Sequence, residues 1–132
     1  YSYVYNVVFS AVDSNGDVPQ LNALADGGIS SAKYTAGNSS HGEVDDLFTG
    51  GKFNGTLDTY FKIRISNASA SGDYFEWNFQ EYKTDYTEFF HRTAIVANQR
   101  MLIRDNVYIT FNSSTGHSVG DQWVFAAVRT GE

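Results

Sequence analysis

The sequence predicts an all-β protein, an antiparallel β-sandwich of the jelly-roll or immunoglobulin-like kind with an N-terminal strand or arm and a long loose loop. Three observations predict this class. Aromatic residues make up 16% of the 132 residues, twelve glycines stand against a single proline, and apolar residues recur at every second position in the regular stretches. Aromatic and β-branched residues favour strands, and a period of two gives each strand one buried face.

The N-terminal part, residues 1–47, is predicted to be a strand or arm followed by a Gly/Ser-rich connection. The stretch YVYNVVF at residues 3–9 alternates like a strand, and DSNGD at residues 13–17 is a turn signal. From Leu21 to about Gly55 the sequence is rich in Gly, Ser and Asn and has only scattered apolar residues. Its one helical period, near residues 20–25, is too brief to predict a helix.

The remainder, residues 48–132, is predicted to be the β-sandwich unit, and we expect the two parts to form one compact domain. Strands are predicted at residues 59–66, 73–82, 101–105, 106–112 and 121–130. Their core-facing positions carry Phe61, Ile63, Ile65, Phe75, Trp77, Phe79, Val107, Ile109, Phe111, Trp123, Phe125 and Ala127. Strands with one apolar face are typical of two sheets packed face to face.

Charge and composition exclude several classes of protein. The net charge is −6 with nine scattered Lys and Arg residues, which argues against a nucleic-acid partner. The chain has no cysteine and no apolar run long enough to cross a membrane, so we expect neither disulfides nor membrane insertion. It begins at Tyr1 rather than Met and is expected to be a mature product or a fragment of a longer protein.

The stretch ITFNSSTGHSVGDQWVF, residues 109–125, is interpreted as a structural turn between two strands. Gly116 and Gly120 allow positive φ in the connection, and Asp121 is expected to accept backbone N–H groups of the turn. His117 lies four residues from Asp121, near enough to pair with it, and Trp123 then enters the core.

A catalytic interpretation of the same turn is weaker. Ser113 or Ser114 with His117 and Asp121 supplies the residue types of a nucleophile triad. Such triads bring side chains from separate elements onto a rigid frame, and no nucleophile-elbow motif is present here. We therefore predict no catalytic residues and no enzyme.

The closing motif GHSVGDQWVF, preceded by LDTYFKIRIS, DYFEWNF and NVYITFNSST, resembles a small β-sandwich module of bacteriophage and related virion proteins, especially tail and fibre components. The resemblance covers about residues 48–128, roughly three fifths of the chain, and its closing motif is its most specific part. The segment 80–100 is longer and more aromatic than in that module, and the first 45 or so residues have no counterpart. The resemblance implies a structural or adhesive module with no catalytic residues to transfer. The matching residues are Tyr60, Ile63, Ile65, Phe75, Trp77, Val107, Ile109, Phe111, Gly116, His117, Gly120, Asp121, Trp123 and Phe125.

Two functions remain open at this point. The first is a non-enzymatic structural module of a virion or other extracellular assembly, which contacts copies of itself or other structural subunits through β-edges and aromatic surface. The alternative is a carbohydrate-binding, lectin-like module that binds surface glycans. Candidate contacts for either are the aromatic residues of and after one predicted strand, Tyr74, Tyr82, Tyr86, Phe89 and Phe90.

The sequence also offers candidate metal and modification sites. Asp13, Asn15 and Asp17 have the oxygen spacing that opens a calcium loop, but its twelfth position is Leu24, and an Asn-Gly turn explains them as well. No other cofactor is indicated, since the three histidines are too isolated for zinc. The acidic stretch EVDDLF, residues 43–48, is interpreted as a solvated turn rather than a metal site. Four sequons place candidate N-glycosylation sites at Asn38, Asn54, Asn67 and Asn112.

Overall fold

The computed structural model describes residues 28–38, 44–90 and 92–129. The predicted strand at residues 3–9 and the candidate calcium turn with Asp13, Asn15 and Asp17 lie outside the described residues. The described ranges contain eight strands and no helix, and so no helix among them is long and apolar enough to cross a membrane.

The eight strands form two antiparallel sheets. The large sheet has the order β1-β8-β3-β4-β5, and the small sheet has the order β2-β7-β6. The strands are β1 (Lys33–Thr35), β2 (Leu47–Gly51), β3 (Thr59–Asn67), β4 (Tyr74–Glu81), β5 (Thr93–Ala94), β6 (Met101–Arg104), β7 (Val107–Phe111) and β8 (Gln122–Ala127). The predicted all-β sandwich is thereby confirmed.

The core lies between the two sheets and is built by the alternation that the sequence shows. In the large sheet Phe61 of β3 is paired with Phe79 of β4 and with Phe125 of β8. The Phe61 and Phe125 rings stack with their centroids 5.1 Å apart, and both side chains are fully buried. Across the core the small sheet contributes Phe111, whose ring lies 5.5 Å from that of Phe75. Aromatic pairs at such distances add stability beyond the area they bury.

The longest strands lie where the sequence predicts them, and the short ones do not stand out in the sequence. The structure places β3, β4, β6, β7 and β8 within one or two residues of the predicted bounds, except for the end of β8. Both β1 and β2 lie in the stretch predicted to be loose, because their sequences KYT and LFTGG do not show apolar residues at every second position. Since β1 pairs with β8 and Ile29 bridges to Ala127, residues 28–38 belong to the large sheet.

Candidate functional site

The most unusual group of side chains is a buried histidine held between two carboxylates. His117 Nδ1 lies 2.8 Å from Asp73 Oδ2, and His117 Nε2 lies 2.8 Å from Asp46 Oδ1. The imidazole is fully buried, and the two carboxylate side chains are only 1% and 11% exposed. All three lie at the end of the sandwich where β2, β4 and β8 begin, which we call the His117 end.

Each carboxylate also binds backbone N–H groups that strand pairing leaves free. Asp73 accepts the N–H of Ser69 at 3.0 Å and that of His117 at 3.0 Å. Asp46 accepts the N–H of Ser113 at 2.8 Å. Buried carboxylates are stable only when their oxygens are satisfied in this way. The three side chains therefore join the turn before β4, the start of β2 and the connection from β7 to β8.

Opposing influences act on the pKa of His117. Burial by itself lowers the pKa, because it disfavours the charged ring. The hydrogen bonds and negative charges of Asp46 and Asp73 act in the opposite direction and outweigh burial, so the pKa is raised above its usual value. The ring is accordingly biased toward its doubly protonated, charged form.

In the turn around this site, Asp121 has the kind of partner that the sequence predicts and His117 does not. Asp121 does accept backbone N–H groups, from Ser118 at 2.9 Å and from Gly37 at 2.7 Å. His117 pairs with Asp46 and Asp73 rather than with Asp121. The sequence did not indicate these partners, because Asp46 and Asp73 lie 71 and 44 residues before His117. Only the pairing of the strands brings them close to the ring. Gly116 and Gly120 both adopt positive φ, at 95° and 93°, and Trp123 is fully buried.

Gly37 lies directly against this turn, and its replacement is a test of the close approach. A Cβ at Gly37 would stand 2.4 Å from the backbone carbon of Gly120 and 2.5 Å from the backbone nitrogen of Asp121. Gly37→Ala is therefore expected to reduce the free energy of unfolding by about 1–3 kcal/mol, measured by urea denaturation. Gly50→Ala is the matched control, because nothing lies within 4 Å of its Cβ position and its stability should stay near that of the parent. Equal stability of the two variants would contradict the close approach.

The residue types of a nucleophile triad are not arranged as one. The Ser113 hydroxyl donates to the carbonyl of Thr115 at 2.8 Å, and the Ser114 carbonyl accepts the N–H of Asp73. Both ring nitrogens of His117 are engaged by carboxylates, so neither has a lone pair directed at a hydroxyl. Within the described ranges no group of three His, Asp or Glu side chains is placed to hold a metal ion. A depression of about 290 Å³ opens at the His117 end, lined in part by residues 68–70, Asp73 and Gly116.

The acidic stretch EVDDLF was expected to be a solvated turn, and its described part is solvated only in part, since Asp45 is exposed and Asp46 is buried. Asp46 is buried against His117. Asp45 accepts the indole N–H of Trp123 at 2.9 Å, which satisfies the polar atom of a fully buried side chain. Two adjacent carboxylates thus serve two different buried donors. The sequence signal for both Asp46 and Asp73 is their position directly before a strand, which alternation alone does not mark as functional.

The predicted aromatic contact residues are engaged within the chain. Residues 82–90, which we call the edge segment, run along the free edge of β4, where the N–H groups of Thr87 and Phe90 donate to the carbonyls of Phe79 and Trp77, both at 2.8 Å. Phe90 packs on Trp77 with the ring centroids 4.6 Å apart. Cations lie over the other four rings at 3.6–5.5 Å, in the pairs Lys62–Tyr86, Arg64–Phe89, Lys83–Tyr82 and Arg92–Tyr74.

A second surface was missed by sequence reasoning. Phe48 and Leu102 are 54% and 60% exposed, and Tyr108 is half-buried. Tyr108 stands opposite Gly50 of β2 and Leu102 of β6, one row from Phe48. These three side chains lie on the outer face of the small sheet, and we call them the outer patch. The guanidinium of Arg100 lies over the Tyr108 ring, 3.7 Å from its centroid. Alternation predicts that residues such as Tyr108 face outward, but only strand pairing shows that they are neighbours.

The four candidate glycosylation sites are distributed unevenly over the two ends of the sandwich. Asn38, Asn54 and Asn112 are exposed, and Asn67 is half-buried as the last residue of β3. All but Asn54 lie at the His117 end.

Comparison of the chain with protein families, with curated proteins and with solved structures found no match in any of the three.

Proposed function

We propose that this chain is a non-enzymatic β-sandwich module of a virion or other extracellular assembly, and that its small sheet contacts a second copy of the chain. The outer patch is the observation that carries the proposal. Phe48 and Leu102 expose more than half of their side chains beside Tyr108 on one sheet face. Exposed apolar side chains grouped on one face are typical of protein interaction surfaces, and aromatic residues are enriched there.

The edges of the small sheet support the same proposal. Among the described residues, β2 and β6 each pair with β7 on one side and with no strand on the other. An edge strand presents N–H and C=O groups that can pair with a strand of another chain. Because the outer patch lies between these two edges, a neighbouring subunit can contact both backbone and side chains of the small sheet.

The chemistry of the His117 end also agrees with a structural role. Both nitrogens of the one described histidine are bound to carboxylates, and the Ser113 hydroxyl is bound to a carbonyl. The resemblance of the closing motif to modules of virion tail and fibre proteins supports the kind of assembly proposed.

Light scattering over a dilution series tests the proposed contact. The parent chain is expected to form a defined oligomer, and the double variant Phe48→Lys/Leu102→Lys to be monomeric, because lysine at both positions places two charges in the contact. Val119→Lys is the matched control, since Val119 is 58% exposed and lies outside the outer patch. A monomeric parent chain, or a double variant that stays oligomeric, would show that the proposed contact is wrong.

Carbohydrate binding is the less well supported alternative. Sugar sites use the free faces of aromatic rings, whereas Tyr86 and Phe89 each have a cation over the ring and Phe90 stacks on Trp77. Tyr86 and Phe90 remain 36% and 41% exposed, so these contacts cover the rings of the edge segment only in part.

A further inference from the structure

The hydrogen-bond geometry of His117 matches a ring that carries a proton on both nitrogens. A neutral imidazole has one N–H group, and its other nitrogen carries a lone pair. At His117 both nitrogens lie 2.8 Å from a carboxylate oxygen. A lone pair facing a carboxylate at that distance is repelled, whereas an imidazolium donates to both oxygens. The arrangement is therefore that of one cation between two anions.

The groups packed around the ring supply no other charge that would replace the proton. Phe111 of β7 and Trp123 of β8 meet it edge-on, with ring centroids 5.6 Å and 5.9 Å away, and both rings are uncharged. Of the other carboxylates at this end, Asp45 is bound to the Trp123 indole. Asp121 is bound to the backbone N–H groups of Ser118 and Gly37.

The two carboxylates would respond differently if the ring lost a proton. Asp73 keeps two backbone donors, Ser69 and His117 itself, and its side chain is 1% exposed. Asp46 keeps one backbone donor, Ser113, and its side chain is 11% exposed. A neutral ring that retains its Nδ1 proton still donates to Asp73, and Asp46 is then left facing a lone pair. Asp46 is also the more exposed of the two carboxylates.

We infer that His117 is a proton-operated latch between the two sheets. The protonated ring ties Asp46, next to β2 of the small sheet, to Asp73, next to β4 of the large sheet. Loss of the proton releases Asp46 and with it the start of β2, while the contact to Asp73 remains. The latch is closed at neutral pH and opens on the alkaline side.

The direction of the pH effect on stability follows from proton linkage. In the unfolded chain His117 titrates near its ordinary value of about 6.5, and in the fold the pKa is raised. Its contribution to stability is therefore complete below about pH 6.5 and is lost as the pH rises through the folded-state pKa. Asp46→Asn should weaken this dependence, because an amide can donate to the lone pair of a neutral ring while Asp73 still favours the charged ring.

Nitrogen NMR of the full chain tests the latch, with His41 and His91 changed to glutamine so that His117 alone reports. Both ring nitrogens are expected to be protonated at neutral pH. Deprotonation at higher pH should shift the amide signals of Leu47 and Phe48 more than that of Tyr74. A neutral ring at pH 7, or equal shifts at β2 and β4, would overturn the inference.

Urea denaturation from about pH 6 to pH 10 provides the second measurement. The parent chain should lose stability as the pH rises, and Asp46→Asn should lose less. Asp85→Asn is the control, since Asp85 lies in the exposed part of the edge segment and should leave the parent profile unchanged. Parallel profiles of the parent chain and Asp46→Asn would mean that the ring proton does not operate a latch.

Discussion

Replacement of Asp73 by alanine is expected to reduce the free energy of unfolding by about 3–5 kcal/mol, the usual cost of removing one partner from a buried ion pair. Asp73 is almost completely buried and accepts three hydrogen bonds, two of them from His117 and one from the N–H of Ser69. Without the carboxylate, the backbone N–H groups of Ser69 and His117 lose their acceptor and the imidazolium loses one of its two anions. The effect combines a charge term with an unsatisfied-donor term.

Urea denaturation near pH 6, followed by tryptophan fluorescence, measures this loss. Asp73→Asn serves as a comparison, because it retains one acceptor oxygen and should be less destabilising than alanine. Asp85→Ala is the surface control and should stay within about 0.5 kcal/mol of the parent chain. A loss below about 1 kcal/mol for Asp73→Ala would mean that the buried carboxylate is dispensable.

Trp123→Ala is expected to be comparably damaging, with a loss of about 3–5 kcal/mol from the cavity left in the core. The indole is fully buried, and its ring centroid lies 5.2 Å from that of Tyr34 and 5.4 Å from that of Phe111. It therefore contacts both sheets, and its N–H fixes Asp45 next to the His117 contact. The substitution removes packing from β1, β7 and β8 together.

The other tryptophan is the matched control for this prediction. Trp77 has the same side chain but is only half-buried, and it packs mainly on Phe90, Phe79 and Phe61 of the large-sheet side. Trp77→Ala should therefore cost clearly less stability in the same urea titration. If the two alanine variants were equally destabilised, the central place of Trp123 in the core would be refuted.

Alternation of apolar and polar residues predicted the long strands because the pattern that marks a buried face lies within the strand's own sequence. In β3 and β8 each inward residue, such as Phe61 or Phe125, is two positions from the next, so the sequence itself displays the buried face. The five residues of β7 display the same alternation, whereas β1, β2 and β5 do not. Accordingly β1, β2 and β5 are made by pairing with a longer neighbour, which the sequence does not state.

The His117 contacts were beyond sequence reasoning for the same reason. His117, Asp46 and Asp73 come from three separate connections, and their distances depend on which strands pair and in what register. The glycines at 116 and 120 marked the turn correctly as a place of positive φ. Asp121 was predicted to pair with His117 because it is the nearest carboxylate in the sequence, and the sequence does not give distances in space.

The edge segment also limits which sheet edges of the molecule can accept a strand from another copy. It runs along the side of β4 that faces away from β3, next to β5, with irregular backbone hydrogen bonds. Among the described residues the opposite side of the large sheet ends in the three residues of β1. Short or covered edges resist addition of further strands. On the proposed function, copies would therefore join through the small sheet, and an assembly of such units would grow as pairs or as a single row rather than as a branched network.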